Sequence, residues 1–396
     1  MEIKNKIIAF LNMSKLHIKR ISTQKELKDF VLFNHSLYKD CSNAVPELIE
    51  DTLKNFDKKN NAAFEFCDAE FFVAYRDGKI VGKVAGIINN RANEKWGTRN
   101  VRFGWIDFID DKEVSKALLD TVIAWGKERG MDTIQGPLGF TDLDQEGMLF
   151  EGYEKPGSMY TIYNYPYYNE HMLAMGFEED AVWVERNINI PQKDGENSAN
   201  QQKFFRVAQL VKDRYGFSIH KFKSKKELRE SGYVKKVFEI INASYKDLYG
   251  YSNMTERQMN MYADMYLPVL DHRLVSIVDN KDGEPIAIGI CMPNLRDALK
   301  KAKSKMLPFG WWHMAKALYW KRSNILDLLL IGALPEYQDT GCISLLFADL
   351  IPTAQELGFV VAECCPQLVT NSKALSVWRS LDTVETKKRH TWKKSI

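Results

Sequence analysis

A chain of 396 residues whose two halves open with the same run of residue types has few ways to fold. Residues 16–30 read LHIKRISTQKELKDF and residues 217–231 read FSIHKFKSKKELRES, an offset of about 200 residues. Each run spells a short alternating strand, a Ser or Thr at a helix cap, a Lys-Glu-Leu helix start and an apolar-periodic helix. Such a repeat implies two copies of one supersecondary plan. Between them, residues 190–203 read IPQKDGENSANQQK, polar and without apolar period, which is linker chemistry. The reading is a first domain over residues 1–190, a linker and connecting helix over 191–216, and a second domain over 217–396. With 45% hydrophobic and 12% aromatic residues, each half can bury a core of its own.

The order of elements matches as well. In the first half, strands at 71–76 and 79–88 flank Asp77-Gly78, a hairpin signal. A strand at 101–109, a helix at 114–129 and a strand at 133–138 follow. In the second half, strands at 272–278 and 285–291 flank a turn at 280–284. A buried strand at 325–334, a helix at 341–357, a strand at 359–364, a helix at 371–381 and a final strand at 383–393 complete it. Antiparallel strands followed by a strand–helix–strand crossover predict an α/β (α+β) fold. Each copy is then a mixed, mostly antiparallel twisted sheet flanked by helices.

Several function classes recede on composition. A net charge of +3 does not ask for nucleic acid. The six cysteines have no C-x-x-C spacing, and the seven histidines no ligand pattern, so neither a disulfide framework nor a metal site is expected. Residues 7–11 form an apolar patch after Lys4 and Lys6, too short for a signal peptide. No run approaches the roughly 20 apolar residues of a spanning helix. The expected location is the cytoplasm, with peripheral contact at the inner membrane.

The chemistry concentrates in residues 325–351, ILDLLLIGALPEYQDTGCISLLFADLI. A buried strand runs into a turn, Gln338-Asp339-Thr340-Gly341-Cys342-Ile343, at a helix start. Unpaired amides and the positive dipole end make such a turn an anion site. This segment resembles the Q/R-x-x-G-x-G/A motif of the GNAT superfamily of acyl-CoA N-acyltransferases, with Ile343 in the last place and Asp339 adding a negative charge. Thirty residues on, NSKALSVW resembles that superfamily's N-x-x-A-x-x-x-Y helix, matching at Asn371 and Ala374 and placing Trp378 where Tyr is usual. The resemblance implies an acyl-CoA or acetyl-CoA donor, or an acyl carrier protein, held by Gln338, Asp339, Thr340, Gly341, Cys342, Ile343 and Asn371. It further implies a backbone N–H near Leu334 on the thioester carbonyl. A carboxylate must take a proton from an ammonium acceptor before attack. The resemblance points to Asp327, with Glu336 and Glu363 as second choices. The matching helix of the first half opens with Asp110-Asp111-Lys112-Glu113, carboxylates where phosphates would sit, so the first copy reads as degenerate. Its aromatic run, residues 160–168, reads as pocket lining or as packing between the halves.

Residues 293–324 form an insertion with eight Lys or Arg, one Asp, and Trp311, Trp312, Tyr319 and Trp320. Basic helices with interfacial aromatics suit an anionic membrane surface; a solvated lid and a nucleic-acid patch are the competing readings. With GPLGFTDLDQEG at 136–147 and MLPFGWW at 306–312, the chain resembles a bacterial GNAT-like group that includes ceramide-forming enzymes. That implies N-acylation of a long-chain amino alcohol or other lipid amine. The alternatives are a Fem-like aminoacyl-tRNA-dependent transferase and a non-catalytic acyl-CoA-binding protein.

Overall fold

The computed structural model describes residues 15–192, 198–378 and 381–396. The patch at 7–11, residues 193–197 of the linker and the side chain of Ala374 lie outside the described residues. The fold is mixed α/β. In chain order its elements are β1 His17–Arg20, α1 Gln24–Leu37, α2 Ile49–Asn55, β2 Cys67–Arg76, β3 Lys79–Asn89, α3 Asn90–Trp96, β4 Asn100–Phe108, α4 Lys112–Lys127, β5 Thr133–Gly136, β6 Met148–Glu151, α5 Tyr167–Ala174 and β7 Glu178–Asn189. Then come α6 Ser198–Tyr215, β8 Ser218–His220, α7 Lys225–Glu230, α8 Tyr233–Tyr245, α9 Glu256–Tyr266, β9 Val275–Asp279, β10 Pro285–Pro293, α10 Arg296–Ala302, α11 Gly310–Tyr319, β11 Ile325–Ala333, α12 Ile343–Glu356, β12 Val361–Cys364, β13 Gln367–Leu368, α13 Ser372–Val377 and β14 Thr383–Ser395.

Two compact units result: Met1–Val182 with Lys388–Ile396, and Trp183–Lys387. The last nine residues therefore cluster with the first unit, although the sequence reading kept them with the second half. The reason is strand pairing: Trp392 through Ser395 align with Gly136 through Thr133 on β5. A strand takes the partner whose edge is open, and sequence distance does not enter.

The repeat is physical. In the first unit Thr23 caps α1, accepting from the Glu26 amide at 3.2 Å while Glu26 reaches back to the Thr23 amide at 3.1 Å. In the second unit Ser224 caps α7, accepting from the Glu227 amide at 3.1 Å. Each such cap contributes about 1 kcal/mol. The first unit orders its strands β1-β2-β3-β4-β5 and the second β7-β12-β11-β10-β9-β8. The β2–β3 hairpin turns through Asp77 and Gly78, both with positive φ, the pairing that matches strand twist.

In each unit the strand before the crossover carries one extra residue. On β4 it lies between the partners of Lys83 and Ala85, and on β11 it is Leu329, opposite the Ile290–Cys291 step. Such bulges re-aim side chains and amides. Each such strand also pairs in parallel with the strand after the crossover for a few residues only. In the first unit these run from Asn100 with Thr133 to Arg102 with Gln135. In the second they run from Ile325 with Val361 to Leu328 with Cys364. Beyond those pairs the two strands part. The core of the second unit lies around α12, where Leu346 is fully buried and Phe347 and Leu350 nearly so.

Candidate functional site

Where β11 and β12 part, the second unit opens a cleft of about 1110 Å³. That exceeds the roughly 300–1,000 Å³ of ordinary small-ligand pockets. Ile331, Gly332 and Ala333 form one wall, and Gln367, Leu368 and Asn371 the other. One edge of β11 is spent on β10, since the Leu334 amide donates to the Ile286 carbonyl at 2.9 Å. Backbone groups in an antiparallel pair alternate in direction, so the amides of Ile331 and Ala333 point away from β10. Their carbonyls take side-chain donors: Tyr245 Oη reaches Ile331 at 3.1 Å and Gln338 Nε2 reaches Ala333 at 3.3 Å. The wall thus presents strand backbone to whatever lies in the gap. The same alternation corrects the expectation for Leu334, whose N–H faces the wrong way to polarise a substrate carbonyl.

The motif turn borders this cleft through Gln338, Asp339, Gly341 and Ile343. Gly341 has φ 82°, a left-handed conformation that no helix interior admits. The helix therefore starts at Ile343, two residues later than the apolar pattern implied, after a 3-10 turn at Pro335–Thr340. The turn also uses more of its own donors than expected. Thr340 Oγ1 donates to the Tyr337 carbonyl at 2.6 Å and accepts from the Cys342 amide at 3.3 Å. The amides of Ser344 and Leu345 bond to Gly341 and Cys342 carbonyls at 2.9 and 3.0 Å. Thr340 is thus not a ready donor, and Cys342 is fully buried with its Sγ on the Tyr337 carbonyl side. The positive charge beside the turn comes from the start of α12 and from Lys373. Lys373 Nζ lies 3.3 Å from Gln338 Oε1 and 3.4 Å from Asp339 Oδ2, answering the Asp339 charge. The sequence reading missed Lys373, whose one signal was its place two residues after Asn371.

Asp327 and Glu363 are register partners at the closed end of the gap, one pair before the strands separate. Asn294 Nδ2 donates to Asp327 Oδ1 at 2.8 Å, and Arg296 Nη2 to Glu363 Oε2 at 2.6 Å. Asp327 is 3% exposed, and its Oδ2 has no hydrogen-bond partner among the described residues. Burial, against the Asn294 hydrogen bond, pushes its carboxyl up to about 7, with the Glu363 charge adding to the rise. A carboxyl in that range exchanges a proton near neutral pH. Asn294 and Arg296 open the insertion that looked merely amphipathic in sequence. None of the three acids is among the side chains that line the cleft: Asp327 and Glu363 sit behind its closed end, and Glu336 is exposed on the 3-10 turn. Trp378 is buried beside the cleft with Nε1 on Gln367 Oε1, a donor without a titratable proton. Burial raises the thiols of Cys364 and Cys365 far above their usual range, so neither supplies a thiolate nucleophile.

The first unit fills the corresponding gap with its own chain. The Leu138 amide bonds to the Phe103 carbonyl at 2.9 Å, and Phe140 packs on Trp105 with ring centroids 5.3 Å apart. Further along β4, Tyr167 Oη donates to the Phe108 carbonyl at 2.6 Å and the Phe108 amide to Tyr168 Oη at 3.2 Å. The tyrosine run is therefore internal packing of this unit. At the start of α4, Asp111 caps the helix by accepting from the Glu113 amide at 2.9 Å, and Arg76 holds both acids.

No family model matches the chain. It is 24% identical over 337 residues to Protein YghO of Escherichia coli (strain K12), spanning 81% of this chain and 79% of that one. It is 24% identical over 326 residues to Bacterial ceramide synthase of Caulobacter vibrioides (strain NA1000 / CB15N), 80% of each. Among solved structures it is similar to a tandem GNAT protein from the clavulanic acid biosynthesis pathway. That match has a TM-score of 0.54 and 11% identity over 96% of this chain and 98% of that one. The fold is a tandem GNAT fold.

Proposed function

Starting from a chain with the tandem GNAT fold, we propose that the second unit is an N-acyltransferase. It moves an acyl group from a CoA or carrier-protein thioester to the amine of a long-chain amino alcohol or other lipid amine. The observation that carries the reading is the open gap between β11 and β12, bordered by the start of α12 and by Lys373. An extended thioester arm suits the outward backbone of Ile331 and Ala333, and an anionic carrier suits the helix end. The 24% identity with a protein named Bacterial ceramide synthase supports the lipid amine.

In this reading an ammonium acceptor loses one proton to Asp327, the neutral nitrogen attacks the thioester carbonyl, the C–S bond breaks and the thiolate leaves; the second proton shed by the attacking nitrogen replaces the one that the leaving thiolate takes up. Trp378 cannot return a proton to that thiolate. Tyr245, whose hydroxyl reaches the cleft wall, is the group we assign to it. The amides of Ile331 or Ala333 take the carbonyl role first given to Leu334. The filled gap and the capped α4 support a first unit that binds no acyl donor. A binding-only protein is the second reading, favoured by Trp378 in place of a phenol.

The test is thermal stabilisation of the full chain by acetyl-CoA, long-chain acyl-CoAs and acylated carrier protein, followed by mass detection of N-acylated amines. Tight binding raises the melting point by mass action. Stabilisation with no product from any amine would support the binding-only reading. No stabilisation by any donor would sink both.

A further inference from the structure

The insertion between β10 and β11 presents an unusual surface. Leu307 and Phe309 are each 73% exposed and Trp320 67%, with Trp311, Trp312 and Tyr319 about half exposed. These six fall within fourteen residues, and large apolar side chains rarely cluster so in water. They are not the unfilled side of a buried helix. On α11, Gly310, Met314 and Leu318 already face inward, so the aromatics form a second, outward strip. Trp312 and Trp320 lie against one another at 5.5 Å, as do Trp311 and Trp312 at 6.0 Å.

The strip is held in place. A Cβ on Gly310 would collide with the Lys305 carbonyl, so only glycine lets the loop fold this tightly onto α11. The Trp311 amide bonds to the Met306 carbonyl at 2.8 Å, and Lys303 and Ser304 accept left-handed φ angles to make the bend. Around it stand five exposed lysines: Lys301, Lys303, Lys305, Lys316 and Lys321. Residues 298–326 contain no acid. Tryptophans and a tyrosine ringed by one sign of charge match an interface with apolar depth and an anionic rim.

We propose that residues 301–321 dock the protein on an anionic phospholipid surface, with Leu307, Phe309, Trp311, Trp312 and Trp320 entering the headgroup boundary and the lysines meeting lipid phosphates. The same insertion begins with Asn294 and Arg296, which hold Asp327 and Glu363. If the acyl-transfer reading holds, docking sets the carboxylate pair beside the phase that stores the acceptor.

The experiment is co-sedimentation of the full chain with vesicles of phosphatidylcholine alone or with a quarter phosphatidylglycerol, at low and high salt and without acyl donor. Tryptophan emission is read in parallel. Binding should need phosphatidylglycerol, weaken with salt and shift emission to the blue. Replacing Trp312→Ser with Trp320→Ser, both exposed, should lower partitioning about tenfold or more with an unchanged melting curve. Lys303→Glu with Lys305→Glu should weaken it by about fivefold for each positive charge removed. Three results overturn the proposal: no partitioning, equal partitioning to both vesicles, or variants that partition like the parent. Self-association abolished by the tryptophan changes, with no vesicle binding, overturns it in favour of a second copy. Because no donor is present, these outcomes are independent of the acyl-transfer reading.

Discussion

Replacing Asp327 by Asn separates a functional carboxylate from a merely tolerated one. The amide keeps the shape and cannot ionise. In the folded chain the Asp327 carboxyl titrates near 7, against 3.8 for a free side chain, chiefly because it is 3% exposed. A carboxyl whose folded value is raised binds more protons folded than unfolded between those two values. Stability therefore falls as pH rises from about 4 to about 7 and is level above. Three units correspond to about 4 kcal/mol, the ceiling of the effect, at about 1.4 kcal/mol per unit. Asp327→Asn should show no such loss. Near pH 4 the two proteins should unfold at similar urea concentrations, and by pH 8 the variant should be the more stable by up to that ceiling. Product formation should meanwhile fall at least about a hundredfold, with donor-induced stabilisation kept. A difference in stability that stays constant from pH 4 to pH 8 would refute the burial argument. An active variant would refute the assignment of Asp327 as the base.

Four further outcomes are expected. Gly341→Ala forces a side chain into φ 82° and should cost about 1–2 kcal/mol while reducing donor-induced stabilisation, read from melting curves with and without acyl-CoA. Lys373→Glu, at an exposed site, should leave the melting point of the free protein unchanged and weaken CoA binding, measured by calorimetry. Tyr245→Phe should lower kcat and leave donor affinity unchanged; the reverse would make Tyr245 a binding group. Phe140→Ala in the first unit should destabilise by about 3–5 kcal/mol without changing donor affinity, because that side chain fills a gap that holds only protein.

Much of the architecture is legible in the amino-acid order because it is written in short-range chemistry. The paired caps at Thr23 and Ser224, the Asp77-Gly78 turn and the apolar run from Ile325 are local signals, and local signals survive in sequence. The motif turn is legible for the same reason, since Gly341 is needed for its own φ. Misplaced details depend on which groups the folded backbone brings within hydrogen-bond reach. Leu334 looked available until β10 took its amide. Thr340 looked like a ligand donor until its own turn took it. Glu336 and Asp327 are both acids near one motif, and only the register that sets Asp327 beside Glu363, with Asp327 buried against Asn294 and Glu363 paired to Arg296, tells them apart.

Sequence by itself determined that two copies of one plan would form, which strand–turn–helix carries the anion-facing turn, and that the insertion is basic and aromatic. Periodicity, caps and turn residues act within a few positions, so they need no fold to be read. Tertiary structure decided that the gap between β11 and β12 is open while the gap beside β4 is filled by Leu138, Phe140, Tyr167 and Tyr168. It also decided that the last nine residues serve the first unit. Strand edges and clefts are satisfied by whatever backbone or side chain reaches them, and reach is a property of the folded chain.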